Sequence, residues 1–311
     1  MSDGASGRVA YINGRYLPER DVEIPFRDLS FLRGYGAYDM TRTFLGRPYK
    51  LVEHVERLYR ALRYIGIECG LAPAEMVRLS EETLERNRRF LTPDVDFWIT
   101  QRVSAGLQAV GDEGWDHPGP TVVIDCRPMP FKRNARFFDG GLKIVTSSIP
   151  RTAPRFLSPQ VKLNNYLNIT LAVNEVRRID PSAWAMMLDE NGYLAEGEGS
   201  NIFLATDGVL QTPRPENILP GISRATVIDL ARAQGLEVRE SNLSLFDAAN
   251  ADEMFITSTS LCICPIASFN GRKLPDGAPG PITRLLTSKY IELVGCDFVA
   301  QFRAWLPAAA A

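Results

Sequence analysis

Apolar residues change their spacing several times along the N-terminal part of the chain, and each change predicts an element. Residues 9–12 and 16–17 read as short strands around Asn13-Gly14, a dipeptide that tolerates the positive φ of a tight hairpin turn. A longer strand is predicted over 37–44, stopped by Gly46-Arg47-Pro48. Leu51, Val55, Leu58, Leu62 and Ile65 then recur four, three, four and three apart, on one face of a helix that ends at Gly66. A second helix is predicted over 73–89, with strands over 97–104 and 121–126.

Periodicity stops at 127–136, where two prolines and four basic residues read as a linker. Beyond it come a strand over 143–147 and a helix over 165–179. A meander follows (185–188, 193–195, 202–205 and 209–211), turning at Asn191-Gly192 and Asp207-Gly208. A helix begins at Ile222/Ser223 and ends by Gly235. A strand over 253–258, an apolar run over 261–269, an Asn270-Gly271 turn and a helix after Pro281 complete the chain. The predicted class is α+β in two domains. A small N-terminal α/β domain spans 1–128, a linker 129–139, and a larger C-terminal domain that holds the β-meander 140–311.

Composition narrows the function without naming it. With 311 residues, 45% of them hydrophobic, the core needs neither disulfide nor metal to hold it. Lys+Arg 35 against Asp+Glu 37 gives a net charge of −2, a poor footprint for nucleic acid or an anionic membrane. No apolar run approaches the roughly 18–20 residues of a membrane span. The odd number of widely spaced cysteines (Cys69, Cys126, Cys262, Cys264, Cys296) and the lack of a signal peptide predict reduced thiols in a cytoplasmic protein. Cys262 and Cys264 lie in an apolar run and read as small hydrophobes. The two histidines, His54 in a polar helix and His117 in a Gly/Pro loop, read as solvated, so no metal site is expected.

Four segments and one arginine can carry chemistry. In PQVKLNNYLN, Lys162 precedes a helix and Tyr166 follows one helical turn later; a lysine condenses with aldehydes, and a tyrosine can hydrogen-bond a phenolate. In NGYLAEGEGSN, Glu196 ends a strand before Gly197 and Gly199, where a fixed carboxylate can keep a pyridine nitrogen protonated. NILPGISRAT offers the free amides of a helix N-terminus, with Ser223 as a cap or phosphate donor. Thr257-Ser-Thr-Ser260 is a hydroxyl-rich turn. Arg57 can give a bidentate charge to a phosphate. Taken singly, each also has an ordinary reading: surface Lys, loop carboxylate, helix cap, ST-turn, solvated Arg.

In this order the segments resemble one family, the fold type IV pyridoxal-phosphate enzymes. These include branched-chain aminotransferases, D-amino-acid transaminases, (R)-amine transaminases and aminodeoxychorismate lyase. The resemblance runs from VAYINGRYLP and RDLSFLRGYGAYD through EHVERLYRAL, VKLNNYLN, YLAEGEGSNIF, LPGISR and ADEMFITSTS to GPGPIT, YLAEGEGSNIF being the most specific. It implies pyridoxal 5′-phosphate as cofactor, Lys162 as the residue of the internal aldimine, and Glu196 as partner of the pyridine nitrogen. It places Tyr166 on the O3′ side, and Arg57, Ile222, Ser223 and Thr259 around the phosphate. It also implies a two-domain α+β fold whose larger C-terminal domain has a β-meander, barrel-like core, and a homodimer with its site at the interface. The expected function is transamination from an amino acid or primary amine to 2-oxoglutarate or pyruvate. A lyase of the aminodeoxychorismate type and a silent vitamin-B6-binding protein are the alternatives.

Substrate positions depart from every subfamily pattern. On the first long strand and the loop before it, the positions that match are Arg33, Tyr38, Met40 and Arg42. Tyr38-Asp39 looks like the (R)-amine group, and Arg33 can meet a carboxylate across the dimer or lie on the surface. Where branched-chain enzymes carry a Tyr and an Arg two apart, this chain has Trp98 and Thr100, with Arg102 further on. The Arg-Gly of D-amino-acid transaminases is Ala105-Gly106. Thr259 and Ser260 can receive a carboxylate through their backbone. The preferred donor is therefore left open.

Overall fold

The computed structural model describes residues 7–92, 95–109 and 119–307. They form two compact units, Met1–Met129 with Val161–Tyr166, and Pro130–Gln160 with Leu167–Ala311.

The first unit contains β1 (Val9–Ile12), β2 (Arg15–Pro18), α1 (Leu29–Arg33), β3 (Gly36–Phe44), β4 (Arg47–Pro48), α2 (Leu51–Ile65), α3 (Pro73–Asn87), β5 (Phe97–Ser104) and β6 (Thr121–Pro128). Six strands make one antiparallel sheet in the order β2-β1-β6-β5-β3-β4. The turn at Asn13-Gly14 has both residues at positive φ, 44° and 84°, as a two-residue hairpin of this kind requires. The α2 stripe Leu51, Val55, Leu58 and Leu62 packs with Met76 and Leu79 of α3 over Phe97, Ile99, Val103 and Ile124. Side chains alternate along a strand, so Tyr38, Met40, Trp98, Thr100 and Arg102 occupy the opposite face of the sheet.

Residues 161–166 belong to this unit although Pro130–Gln160 separate them from the rest of it in the chain. Tyr38 N–H donates to the Lys162 carbonyl at 3.0 Å, and Asn164 N–H donates to the Gly36 carbonyl at 3.0 Å. Leu163 bridges Ala37, so the segment lies as an extended piece along β3.

The second unit contains α4 (Phe131–Asn134), β7 (Leu142–Thr146), α5 (Leu167–Ile179), β8 (Trp184–Leu188), β9 (Leu194–Gly197), β10 (Ser200–Thr206), β11 (Val209–Pro213), α6 (Ile222–Ala233), β12 (Val238–Ser241), α7 (Leu245–Asn250), β13 (Glu253–Ser258), β14 (Cys262–Phe269), β15 (Arg272–Lys273), α8 (Pro281–Val294) and α9 (Phe298–Arg303). The expected meander is β8 to β11. Because β9 also pairs β10, strands β10-β13-β14-β7-β8-β9 close into a ring, which is the barrel-like core. Within this unit Phe203 and Phe255 stack with centroids 5.0 Å apart.

Some local features differ from expectation. The helix predicted from 165 starts at Leu167, so Tyr166 stands on extended chain and not one helical turn beyond Lys162. The 129–139 stretch holds α4 and a 3₁₀ turn, burying Phe131, Phe137 and Phe138. Phe302 anchors it, 4.9 Å from Phe131 and 4.5 Å from Phe138. All five cysteines are buried. Among the described residues no helix is long and apolar enough to cross a membrane. His117 lies outside the described residues.

Candidate active site

In the first unit the Lys162 ammonium sits 4.6 Å from the Tyr38 ring centroid and 6.0 Å from that of Tyr166. The backbone pairing of 162–164 with β3 fixes this arrangement, because it puts Lys162 beside Tyr38. Burial alone would lower the lysine amine, but the two tyrosines outweigh it and hold the amine above its ordinary value. Tyr38 responds in the opposite sense. Burial raises its hydroxyl, while Lys162, Tyr166 and Arg102 bring it below the usual tyrosine range.

On the helix-covered face of β3, Asp39 is fully buried and accepts from Arg57 through both oxygens, Nε to Oδ2 and Nη2 to Oδ1, each at 2.8 Å. His54 Nδ1 lies 2.7 Å from Asp39 Oδ1. Despite the desolvation that would raise it, Asp39 is held far below the usual carboxylate range by Arg57 and His54. An ionised carboxylate only accepts, so Nδ1 carries the proton and donates. Burial pulls the imidazole below its ordinary value, and Asp39 opposes that only in part. The expectation of a solvated His54 is thus corrected: it is 2% exposed, because a buried carboxylate supplies the partner that hydropathy cannot show. Arg57 is likewise buried and not on a solvated face.

In the second unit Glu196, Asn201 and Thr257 form one cross-strand row over β9, β10 and β13. Glu196 is buried and holds two donors: Arg151 Nε at 2.6 Å and the Leu219 N–H at 2.9 Å. Asn201 Nδ2 donates to the Leu219 carbonyl at 3.0 Å. The same loop ends at Gly221, the N-cap of α6, where a Cβ would run into the Asn201 amide. No side chain caps α6. Ile222 and Ser223 therefore occupy its first turn, whose amides have no partner within the helix. The buried Thr257 Oγ1 has no hydrogen-bond partner among the described residues. Ser258 Oγ accepts from the Leu261 N–H at 3.0 Å, so part of the hydroxyl turn is a local motif. Gly197 serves packing, since a Cβ there would strike Ser200 and Trp184.

Of the expected substrate residues, Tyr38 and Arg102 are brought together, the Arg102 guanidinium lying 4.9 Å from the Tyr38 ring. Thr100 is buried and accepts from Arg127 Nη2 at 3.3 Å. Trp98 is partly buried with its Nε1 unpartnered among the described residues. Arg33 is exposed at the end of α1, and Thr259 and Ser260 are partly buried in the turn after β13. Arg151 was not singled out from sequence; Thr257 was named only as the start of the hydroxyl-rich turn, and Asp39 only beside Tyr38 in a subfamily pattern. For Asp39 a signal existed, a carboxylate in the middle of a long strand beside a helix, which when buried demands a cation.

The family model described as amino-transferase class IV matches residues 36–269. A protein of Methanocaldococcus jannaschii assigned as a branched-chain-amino-acid aminotransferase is 35% identical over 284 residues, covering 91% of this chain and 95% of that one. A D-alanine aminotransferase of Listeria monocytogenes is 30% identical over 283 residues, covering 90% and 94%. Among solved structures, the branched-chain aminotransferase of Escherichia coli superposes with a TM-score of 0.84 at 27% identity, covering 93% and 95%. The branched-chain aminotransferase of Thermobaculum terrenum, in its pyridoxal-phosphate holo form, gives 0.81 at 29%, covering 97% and 98%.

The chain therefore belongs to the class IV aminotransferases. It is a pyridoxal-phosphate-dependent transaminase that moves amino groups between small-molecule donors and acceptors.

Proposed function

We propose that Lys162 is the residue that binds the cofactor's aldehyde covalently and, once displaced by an amine substrate, carries the proton that transamination moves. The observation that carries this reading is the Lys162 ammonium set against Tyr38 and Tyr166 in a partly buried position. Such a placement is costly for a lysine without a task. In the same unit Tyr166 contacts the phenolic side of the cofactor ring, and Arg57, gripped by Asp39, faces the phosphate.

Residues of the second unit carry the other roles that the family resemblance assigns. Glu196, held in place by Arg151, pairs with the pyridine nitrogen. The amides of Ile222 and Ser223, with Thr259 and the Thr257 hydroxyl, receive the phosphate. The fit rests on a buried hydroxyl without a partner, a helix start without a cap, and a loop too close to Asn201 for any side chain at Gly221. When bound, pyridoxal phosphate supplies the electron sink that makes the Cα proton removable.

A homodimer acting in the cytoplasm completes the reading, supported by the exposed Phe26, Phe31 and Phe156 and by five cysteines buried as thiols. Light scattering tests the first part, and a monomer would refute it. The reaction itself is tested by mixing the yellow enzyme, without keto acid, with L-leucine, L-glutamate, D-alanine or (R)-1-phenylethylamine. Bleaching to the pyridoxamine spectrum with one donor class is the expected outcome. A yellow protein that no donor converts would overturn it.

A further inference from the structure

Of the basic residues between 127 and 136, Arg133 and Arg136 have no part in the function proposed above. Arg133 lies on α4 and Arg136 three positions later in the 3₁₀ turn that continues it, so the two share one turn of helical backbone in the second unit. Neither makes an ion pair among the described residues. Arg133 Nε donates to the neighbouring Asn134 Oδ1 at 3.4 Å, and the Arg136 guanidinium lies 5.0 Å from the Phe137 ring centroid. Elsewhere in the same unit Arg151, Arg155 and Arg239 each hold a carboxylate at 2.6 Å.

These two arginines share a small cavity with a third. Its volume is about 70 Å³, and Arg133, Arg136 and Arg177 line it together with Glu198, Trp184 and the buried Asn134. Arg177, near the end of α5, donates from Nη2 to Glu198 Oε1 at 2.9 Å. Glu198 stands in the turn between β9 and β10. Trp184 is fixed by its Nε1, which donates to Ser200 Oγ at 3.2 Å, and by an edge-on contact with Phe137 at 5.6 Å. Three guanidiniums against one carboxylate leave a surplus of two positive charges. Burial keeps the Glu198 carboxyl above its ordinary value although Arg177 and Arg133 pull it down, so this anion is only partly repaid for its place. At roughly 10–15 Å³ per water, the space suits about five to seven atoms of that size. A tetrahedral oxyanion has five heavy atoms; an organic metabolite has too many.

We propose that this cavity binds a phosphate dianion, as inorganic phosphate or as the phosphoryl end of a small ester whose organic part stays outside. The surplus of two charges matches the dianion, and the planar forks of Arg133 and Arg136 suit its oxygens. Arg136 is already stacked on Phe137, which limits the freedom lost when the anion binds. Glu198 is the competitor. It holds the third guanidinium and repels incoming oxygens, so bound phosphate and the Glu198 carboxylate oppose each other.

The test is calorimetric titration of the holoenzyme with inorganic phosphate, at constant ionic strength and with chloride as the reference anion. Using the holoenzyme keeps the cofactor's own phosphate contacts occupied. The wild type should show saturable binding with a Kd on the order of 1 mM or tighter. Arg133→Met and Arg136→Met, both at exposed positions, should each weaken it about fivefold. Glu198→Gln should tighten it about threefold or more, because the competing charge is gone. Arg232→Met removes the same charge from an exposed position near the end of α6 and should leave binding unchanged. Glycerol 3-phosphate separates the two sources: binding equal to that of phosphate assigns the site to esters, and no binding assigns it to the free anion. Absence of saturable phosphate binding overturns the proposal. So does an affinity that Arg133→Met and Arg136→Met leave intact, an equal loss in Arg232→Met, or a Glu198→Gln variant that binds no more tightly than wild type.

Discussion

Asp39 holds Arg57 by both carboxylate oxygens, at 2.8 Å each, inside a pocket where neither residue is more than 4% exposed. Two fixed contacts remove the rotational freedom that a single ion pair would leave, so the guanidinium points one way before any anion arrives. Asp39→Asn keeps the shape and removes the charge. Stripping one partner from a buried pair should cost about 3–5 kcal/mol of stability. Pyridoxal phosphate affinity should also fall at least about tenfold. Denaturant melts and absorbance titration of the apoenzyme separate the two effects. Lost stability with unchanged affinity would mean that Asp39 only supports the fold.

His54 makes stability depend on pH. Its imidazole is depressed by burial, so below the ordinary value of about 6.5 the unfolded chain binds the proton and the folded one does not. The stabilisation is complete above that value and is lost as pH falls, by up to about 1.4 kcal/mol per pH unit. His54→Gln should flatten the stability profile between roughly pH 5 and 7. An identical slope in the variant would show that another group titrates there.

Lys162→Ala should yield a folded protein that gains no phosphopyridoxyl mass on borohydride reduction. Its transamination rate should be lower by about 10²–10⁴-fold, the usual share of a positioned acid–base group. Retained turnover would refute the assignment of Lys162.

Glu196→Gln should keep the cofactor bound while slowing proton transfer by about 10²–10³-fold, since an anionic partner for the ring is lost. Arg151→Met should push in the same direction, because Arg151 Nε meets Glu196 at 2.6 Å. Unchanged rapid kinetics in Glu196→Gln would point to a different carboxylate.

Thr257→Val is expected to act with opposite signs on two measurements. Replacing a buried hydroxyl that has no partner among the described residues removes a desolvation penalty of about 1–3 kcal/mol, so the apoenzyme should melt higher. The same change takes a donor from the phosphate, so cofactor binding should weaken. A variant in which both properties fall would place Thr257 in the core alone.

Local order was legible where the signal was local. The α2 stripe at 51, 55, 58 and 62 is the buried face of that helix, and the Asn-Gly turns at 13–14 and 270–271 hold the positive φ that their residues suggest. The barrel-like core of the second unit was expected from the family resemblance, while spacing alone showed a run of strands, because the β9–β10 and β7–β8 pairings depend on neighbours that periodicity does not specify. The same limit hid the pair of Asp39 and His54, fifteen residues apart and polar to any hydropathy scale. It also hid the extended 161–166 segment, since its Asn-rich sequence suits a helix start and only pairing with β3 overrides that. Short elements such as α1 and α7 carry too few residues for a period to appear.

The detour of 161–166 has a consequence for how the protein is made. A nascent chain that has reached Met129 already holds Tyr38, Asp39, His54 and Arg57, but the β3 edge still waits for its last partner. At about 5–20 residues per second, that partner follows some seconds later. Within that unit the sheet and its helices are made first, and the segment that carries Lys162 is added to them last. A fragment ending at 129 would lack Lys162 and the strand-like pairing that carries it, and a peptide spanning 161–166 is the natural candidate to complete the unit.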